Sequence, residues 1–192
     1  MADRLRTFIA VDVDAFTRDR LVGLQERLAN DGADARWVGR DNLHVTLLFL
    51  GEIDSREVPA VCRIVADVSA THPAFGMTLA GAGAFPTPRR PRTLIVHVTD
   101  GERELIALHD ALEAPLLDHG CYRRENRPFK PHLTIGRVRG RADDARLTAA
   151  IRKFEAWQGG ETRVQEVLVF SSQLRPDGPE YTILSRAPLK LR

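Results

Sequence analysis

Two stretches of the chain share one pattern: Leu43-His44-Val45-Thr46-Leu47-Leu48-Phe49-Leu50 and Pro131-His132-Leu133-Thr134-Ile135-Gly136. Both are rich in residues that favour β-strands. Because successive side chains of a strand point to opposite faces, the histidine and the threonine of each stretch lie on one face and the residue between them on the other. The pattern therefore predicts two strands that each present a His-Thr pair to a cleft, while Val45 and Leu133 pack into the core.

The residues around the first stretch predict the order strand, helix, strand, helix, strand. A strand-like run covers 7–13, and leucines then follow at the spacing of one helical face, at Leu21, Leu24 and Leu28. Gly51 ends the His44 strand, and a second amphipathic helix is marked by Val58, Val61, Cys62, Val65 and Val68. A further strand is predicted from 75 to 79.

The second half of the chain repeats this order. A strand at 93–98 precedes a helix whose inner face carries Leu105, Leu108, Leu112 and Leu116. The His132 strand follows, then a helix-like stretch with Leu147, Ile151 and Phe154, and then a strand over 164–170. The spacing from Phe8 to His44 matches the spacing from Ile95 to His132 to within one residue. The two halves are therefore in register with each other.

A repeat of almost half the chain is too long for a solenoid unit and indicates a duplicated α+β unit. We expect a bilobal α+β fold, in which two lobes related by a pseudo-twofold axis each have an antiparallel sheet with helices on its outer face. A cleft lies between the lobes. One two-lobed domain is expected over residues 1–192, and a last strand near 181–184 has no clear counterpart except the hairpin at 86–91.

The composition excludes several classes of protein. The net charge of +2 is ordinary, so an anionic partner must be met by a local patch. Cys62 and Cys121 are the only cysteines, too few for a disulfide framework or a four-cysteine zinc site. The sequence has neither the features of a signal peptide nor an apolar stretch of membrane-spanning length. We expect a cytoplasmic protein with no membrane contact.

Two histidines that face each other across a cleft suit a reaction that needs an acid and a base together. An unperturbed imidazole has a pKa near 6.5, so one ring can be neutral while the other is protonated. Hydrolysis of a phosphodiester is such a reaction, and the hydroxyls of Thr46 and Thr134 can donate hydrogen bonds to the non-bridging phosphate oxygens. The sequence predicts His44 and His132 as catalytic residues without a metal, and leaves open which is the acid.

Other interpretations of the histidines are weaker. Both could be structural, but their matched positions in the repeat disfavour this. A zinc site lacks further ligands nearby, and a serine hydrolase lacks the Gly-x-Ser-x-Gly elbow. The other four histidines lie in unpaired contexts and are expected to be surface or packing residues: His72, His97, His109 and His119.

The two motifs and the residues around them resemble the two-histidine phosphoesterases, specifically the bacterial and archaeal RNA 2′,3′-cyclic phosphodiesterases, also called 2′-5′ RNA ligase-like proteins. The resemblance covers nearly the whole chain. The residues that carry it are 6–11, Arg36-Trp37-Val38, Asn42 to Gly51, Ala84-Phe85-Pro86, Pro88-Arg89-Arg90-Pro91-Arg92 and Phe129 to Ile135.

The resemblance implies a bilobal α+β fold and hydrolysis of RNA 2′,3′-cyclic phosphate ends to 2′-phosphomonoesters. It implies that His44 is the proton donor to the leaving 3′ oxygen and that His132 is the proton acceptor that activates water. Arg137 matches a position associated with binding of the substrate phosphate, which a guanidinium complements. No cofactor is implied. The reverse reaction, joining RNA ends in a 2′-5′ linkage, is possible with the same acid and base, and we expect a monomer.

Two alternatives stay open. The substrate could be a small cyclic nucleotide or a cyclic phosphate derived from ADP-ribose, or the chain could be a binding module that holds an RNA end without turnover. The basic runs Arg89-Arg90-Pro91-Arg92 and Arg123-Arg124 with Arg127 and Lys130 could attract an RNA backbone or could be solvated loops. Aromatic residues that could stack a terminal base, although core packing is the simpler expectation, are Trp37, Phe85 and Phe129.

Overall fold

The computed structural model describes residues 3–124, 126–139, 145–176 and 178–191. Within these ranges the elements are β1 (Arg4–Asp12), α1 (Ala15–Asn30), β2 (Ala35–Trp37), β3 (His44–Asp54), α2 (Val58–Ser69), β4 (Phe75–Thr87), β5 (Arg90–Asp100), α3 (Glu102–His119), β6 (His132–Val138), α4 (Ala145–Lys153), β7 (Gln158–Val164), β8 (Glu166–Arg175) and β9 (Gly178–Pro188). Two short 3₁₀ helices precede β3 and α2, at Arg40–Asn42 and Ser55–Glu57.

The strands form one antiparallel sheet in the order β7-β4-β5-β6-β3-β1-β8-β9, and β2 adds to β6. The two motif strands, β3 and β6, are neighbours in the middle of this order. They are paired at one point, where Val45 lies opposite Leu133. Both side chains are completely buried. The pseudo-twofold axis predicted from the repeat therefore passes beside this pair.

The sheet divides at this pair into two lobes, each with four strands of the main order, and β2 adds a fifth strand to the lobe of β6. One lobe contains β3, β1, β8 and β9, with α2 against β8 and β9 and with α3 against α2 and β3. The other contains β6, β5, β4 and β7, with α1 against β6 and β7 and with α4 against β4. The predicted fold class, a bilobal α+β fold with antiparallel sheets and outer helices, is confirmed.

The lobes do not coincide with the halves of the sequence. The last strand of the first half, β4, pairs with β5 of the second half, and β8 of the second half pairs with β1 of the first. Each half thus contributes two strands to the lobe built around the other, β2 and β4 from the first half and β8 and β9 from the second. Sheet position also shows that the counterpart of β9 is β7, since each is the outer strand of its lobe, and not the hairpin at 86–91.

The helices form where the apolar spacing predicts them. Asp14 caps α1 by accepting a hydrogen bond from the backbone N–H of Thr17 at 2.7 Å. The leucines predicted to face inward on α1 and α3 are buried, at Leu21, Leu24, Leu28, Leu105, Leu108, Leu112 and Leu116. Among the described residues, every helix is too short or too polar to cross a bilayer.

Two strands, β2 and β7, do not show the alternation of apolar and polar residues from which strands are predicted. β2 has three residues, too few to show an alternation. In β7 the inward positions include Gly159 and Thr162, so burial there follows no hydrophobic period. Thr162 is tolerated in the core because its hydroxyl donates a hydrogen bond to Thr17 at 3.0 Å. The strand predicted over 164–170 corresponds to the first half of β8, and its first residue, Val164, is the last residue of β7, which the sequence did not predict.

Leu133 offers a test of the junction between the lobes. Replacing it with alanine removes buried side-chain volume beside the one pair that joins β3 to β6, and we expect Leu133→Ala to lower the free energy of unfolding by about 2–4 kcal/mol. The matched control is Leu174→Ala, because Leu174 is 73% exposed; that change should stay within about 0.5 kcal/mol. Urea unfolding measures both, and equal small effects would contradict the role of the junction.

Candidate active site

The four motif residues come together on one face at the junction of the lobes. His44, Thr46, His132 and Thr134 are all half-buried, and the residues between them point into the core. The antiparallel Val45–Leu133 pair joins β3 to β6, so that the two His-Thr pairs face one cleft from opposite lobes. The alternation predicted from the sequence thus holds in both strands.

Each imidazole is held by a backbone carbonyl two residues earlier in the chain. Nδ1 of His44 lies 2.7 Å from the carbonyl oxygen of Asn42, and Nδ1 of His132 lies 2.7 Å from that of Lys130. A carbonyl oxygen only accepts hydrogen bonds, so Nδ1 carries the proton in both rings. In the neutral form each Nε2 therefore keeps a free lone pair, and in the charged form it carries a proton that can be donated.

The two rings have different surroundings in the cleft. His44 stacks on Phe8 with ring centroids 5.0 Å apart, and Tyr181 meets it edge-on at 5.5 Å. Its Nε2 lies 3.0 Å from the hydroxyl oxygen of Thr46. His132 is contacted edge-on by Phe85 at 4.8 Å. These aromatic walls fix the ring planes and exclude water from one side of each imidazole.

Burial lowers the pKa of both His44 and His132, because the charged imidazolium loses solvation. The hydrogen bonds from Nδ1 to the carbonyls of Asn42 and Lys130 act in the opposite direction. With the pKa of each ring below its ordinary value of 6.5, the neutral form with a free Nε2 prevails at neutral pH when the cleft holds no anion.

A bulge follows each threonine and turns the next part of the strand. Leu47 has no partner in the register of β1 with β3, and Ile135 has none in the register of β5 with β6. An extra residue on one strand shifts the alternation by one position. The exposed side chain therefore comes three residues after each threonine, at Phe49 in one lobe and Arg137 in the other.

The bulge beside Arg137 is held by a buried amide. Gln25 on α1 donates hydrogen bonds from Nε2 to the carbonyl oxygens of Ile135 and Val38, both at 2.8 Å. The backbone N–H of Val38 donates to the same Ile135 oxygen at 3.0 Å. The Ile135 carbonyl, which the bulge removes from the β5 pairing, thus accepts two other hydrogen bonds. These bonds stabilise the bulge that exposes Arg137.

Cationic side chains lie near the phenol of Tyr181. Burial raises the pKa of Tyr181, and the positive charges of Arg137 and Arg6 act against that rise. Arg137 comes from the lobe opposite Tyr181, so its charge reaches across the cleft. The residue predicted to bind phosphate is therefore close to the His44 side of the site, since Tyr181 contacts that ring.

Other predicted residues separate into those in the cleft and those outside it. Phe85 contacts His132, whereas Phe129 stacks on His109 at 4.3 Å and Trp37 packs over Gly136 against the core. The three arginines of the 89–92 run are exposed and lie on the hairpin that joins β4 to β5. Arg124 forms an ion pair with Glu113. The cysteines are half-buried free thiols.

A groove of about 820 Å³ adjoins the cleft at Phe49 and runs along the outer half of β3. Its charges are mixed, because Arg4 and Arg123 line it together with Glu52 and Glu57. In the described part of the chain, no three His, Cys, Asp or Glu side chains gather as a metal site would require.

Sequence reasoning missed four residues of the cleft: Asp12, Phe49, His97 and Tyr181. Asp12 lies opposite His44 in the register of β1 with β3, and His97 lies opposite His132 in that of β5 with β6. His97 is exposed, as predicted for a surface or packing residue, and its position opposite His132 in the strand register is what the sequence did not show. Only the strand register, which the sequence does not give, could have identified these positions.

Comparison with known proteins identifies the family of this chain. A family model described as the 2′-5′ RNA ligase superfamily matches residues 13–175. The RNA 2′,3′-cyclic phosphodiesterase of Methanothermobacter thermautotrophicus is 33% identical over 93% of this chain and 96% of its own length. The enzyme of the same name from Thermotoga maritima is also 33% identical, over 94% of this chain and 93% of its own length.

Solved structures give the same result. A Thermus thermophilus protein superposes with a TM-score of 0.82 at 27% identity, over 97% of this chain and 99% of that one. E. coli LigT in complex with 3′-AMP superposes with a TM-score of 0.80 at 28% identity, over the same shares of the two chains. The chain therefore belongs to the 2′-5′ RNA ligase superfamily.

Proposed function

We propose that this protein hydrolyses the 2′,3′-cyclic phosphodiester at the end of an RNA to a 2′-phosphomonoester, without a metal ion. His132 takes a proton from the attacking water, and His44 gives a proton to the leaving 3′ oxygen. The water oxygen forms a bond to phosphorus as the bond from phosphorus to the 3′ oxygen breaks. In-line displacement needs an acid and a base on opposite sides of the phosphorus, which histidines on opposite lobes supply.

The observation that carries the proposal is the matched anchoring of the two imidazoles. In both, Nδ1–H donates to a carbonyl oxygen at 2.7 Å, which leaves Nε2 as the atom available to the cleft. Here Nε2 of His44 has a threonine hydroxyl beside it, a partner that a substrate oxygen can replace.

The lowered pKa values fit this reaction once the substrate charge is included. A neutral His132 is ready to accept a proton. His44 must be protonated to act as the acid, and a bound phosphate anion raises the pKa of a neighbouring imidazole because it favours the charged form. Binding of the substrate therefore promotes protonation of the donor in the complex.

Thr46, Thr134 and Arg137 complete the proposed site. The hydroxyls lie on the same face as the histidines and can donate to the non-bridging oxygens, and the guanidinium can form paired hydrogen bonds to the same anion. The names of the two relatives support RNA 2′,3′-cyclic phosphate as the substrate. The same acid and base can run the reverse step, so weak 2′-5′ joining is part of the proposal. We further propose one two-lobed domain acting as a cytoplasmic monomer.

Removal of either histidine tests the mechanism. We expect His44→Ala and His132→Ala each to lower kcat by about 10³-fold or more on a short RNA with a 2′,3′-cyclic end, because each takes away one proton-transfer partner. His72→Ala is the matched control, because His72 lies in the loop after α2 and bonds to the Val68 carbonyl; it should keep wild-type activity.

The assay contains excess EDTA, and phosphorus NMR identifies the product isomer. A 2′-phosphate made by the wild type and lost in both variants is the expected result. Turnover that disappears with EDTA, or that survives either substitution, would contradict the mechanism. Retained RNA affinity in both inactive variants would separate catalysis from binding.

Arg137 has a separate test. We expect Arg137→Gln to lower kcat/KM by about 10- to 100-fold, since charge-assisted hydrogen bonds to the phosphate are lost, and Arg137→Lys to fall between this variant and the wild type. Arg139→Gln removes an exposed arginine two residues further along and is the control. Equal losses for Arg137→Gln and Arg139→Gln in kinetics on the cyclic-phosphate RNA would mean that overall charge, not a specific contact, is responsible.

A further inference from the structure

The pseudo-twofold axis relates the two histidines but not the residues that face them. Directly opposite His44 on β1 is Asp12, and directly opposite His132 on β5 is His97. Opposed residues of antiparallel strands point to the same face with their Cβ atoms about 4.5–5.5 Å apart. A symmetric pair of rings is therefore flanked by an acidic side chain in one lobe and a basic one in the other.

The carboxylate of Asp12 is fixed in place. Its Oδ1 accepts a hydrogen bond from the backbone N–H of Val13 at 2.8 Å and forms an ion pair with Arg18 on α1. The side chains of Asp12 and Arg18 are 36% and 20% exposed, so solvent screens this charge only in part. His44 thus has the negative charge of Asp12 fixed beside it. The positive charge that balances it, on Arg18, contacts Asp12.

His97 lies opposite His132 in the strand register, and its ring extends over Gly83 of β4, where the absence of a side chain leaves room for it. A Cβ on Gly83 would come within 2.3 Å of Nε2 of His97, so any larger residue at 83 would displace the ring. A proton on His97 and a proton on His132 repel each other, and this repulsion disfavours the charged form of His132.

We propose that these two neighbours give the two histidines different roles. Asp12 favours His44 as the proton donor, and His97 favours His132 as the proton acceptor. The inference rests on the function proposed above and adds two positioning residues to it. Asp12 and His97 act through the catalytic rings and do not transfer protons to the substrate themselves.

The charged and titratable groups facing each ring act consistently with this division. His44 is faced by Asp12 on β1, Arg18 on α1 and Tyr181 on β9. Behind the larger effects of burial and the Asn42 carbonyl, Asp12 raises the pKa of His44 more than Arg18 lowers it. His132 is faced by His97 on β5, which lowers its pKa further than burial does alone.

Three substitutions test the proposal by the sign of their effects. Asp12→Asn should lower the pKa of His44 by about 0.5–1 unit, Arg18→Gln should raise it, and His97→Gln should raise the pKa of His132 by a similar amount. Asp67→Asn and His72→Gln, which remove the same chemical groups from outside the cleft, are the matched controls. NMR titration of protein labelled at histidine reads both pKa values without substrate, and the pH profile of kcat/KM gives the catalytic consequence.

The pH profile follows from the roles. The donor His44 must be protonated, so activity falls as pH rises through its pKa, and Asp12→Asn should move this alkaline limb to lower pH. The acceptor His132 must be neutral, so activity rises with pH through its pKa, and His97→Gln should move this acid limb to higher pH. Arg18→Gln should move the alkaline limb the other way, to higher pH.

Opposite shifts for Asp12→Asn and Arg18→Gln, with the controls unmoved, are the expected result. Loss of activity or stability with both limbs and both pKa values unchanged would mean that these residues are only structural, and would overturn the proposal while leaving the proposed function intact. If the wild type turns over no cyclic-phosphate RNA, the proposed function fails by itself, and the NMR titration alone still decides whether the neighbours separate the two pKa values.

Discussion

The register of β3 against β6 is the constraint on which the site depends. It is held at the buried pair Val45–Leu133. Side chains alternate along a strand, so a slip of either strand by one residue would turn its histidine into the core and bring its apolar neighbour into the cleft. Fixing this one pair places two imidazoles and two hydroxyls on a common face. The carbonyls of Asn42 and Lys130, which come just before each strand, then fix the orientation of each ring.

The duplicated scaffold is symmetric, whereas its cleft is not. Because β4 and β8 are exchanged between the halves, each lobe of the sheet contains strands from both halves, so neither half builds a lobe of its own. At equivalent positions the two lobes carry different side chains: Phe49 corresponds to Arg137, and Asp12 to His97. One lobe thus offers an apolar and acidic environment and the other a basic one. Such a difference favours one histidine as the acid and the other as the base.

The sequence predicts the fold class and the two His-Thr pairs because both depend on local periodicity. Alternation shows which residues share a face, and the repeat shows that there are two copies. Periodicity does not show which strands are neighbours, so the strand exchange is not predictable from it. The bulges at Leu47 and Ile135 cannot be recognised in a run of apolar residues. Phe49 is therefore not predicted to face the cleft, and Arg137 is identified only by the family resemblance. Tyr181 reaches His44 through the pairing of β9, a contact distant in sequence.

The proposed mechanism requires both histidines to act on one phosphorus atom from opposite sides. A crystal structure with a nucleoside 2′,3′-cyclic vanadate, whose five-coordinate vanadium imitates the transition state, tests it most directly. We expect Nε2 of His44 within hydrogen-bond distance of the apical 3′ oxygen and Nε2 of His132 within that distance of the opposite apical oxygen. Arg137 and the threonine hydroxyls should contact the equatorial oxygens. A vanadate contacted by one histidine alone, or by both at the same apex, would contradict it.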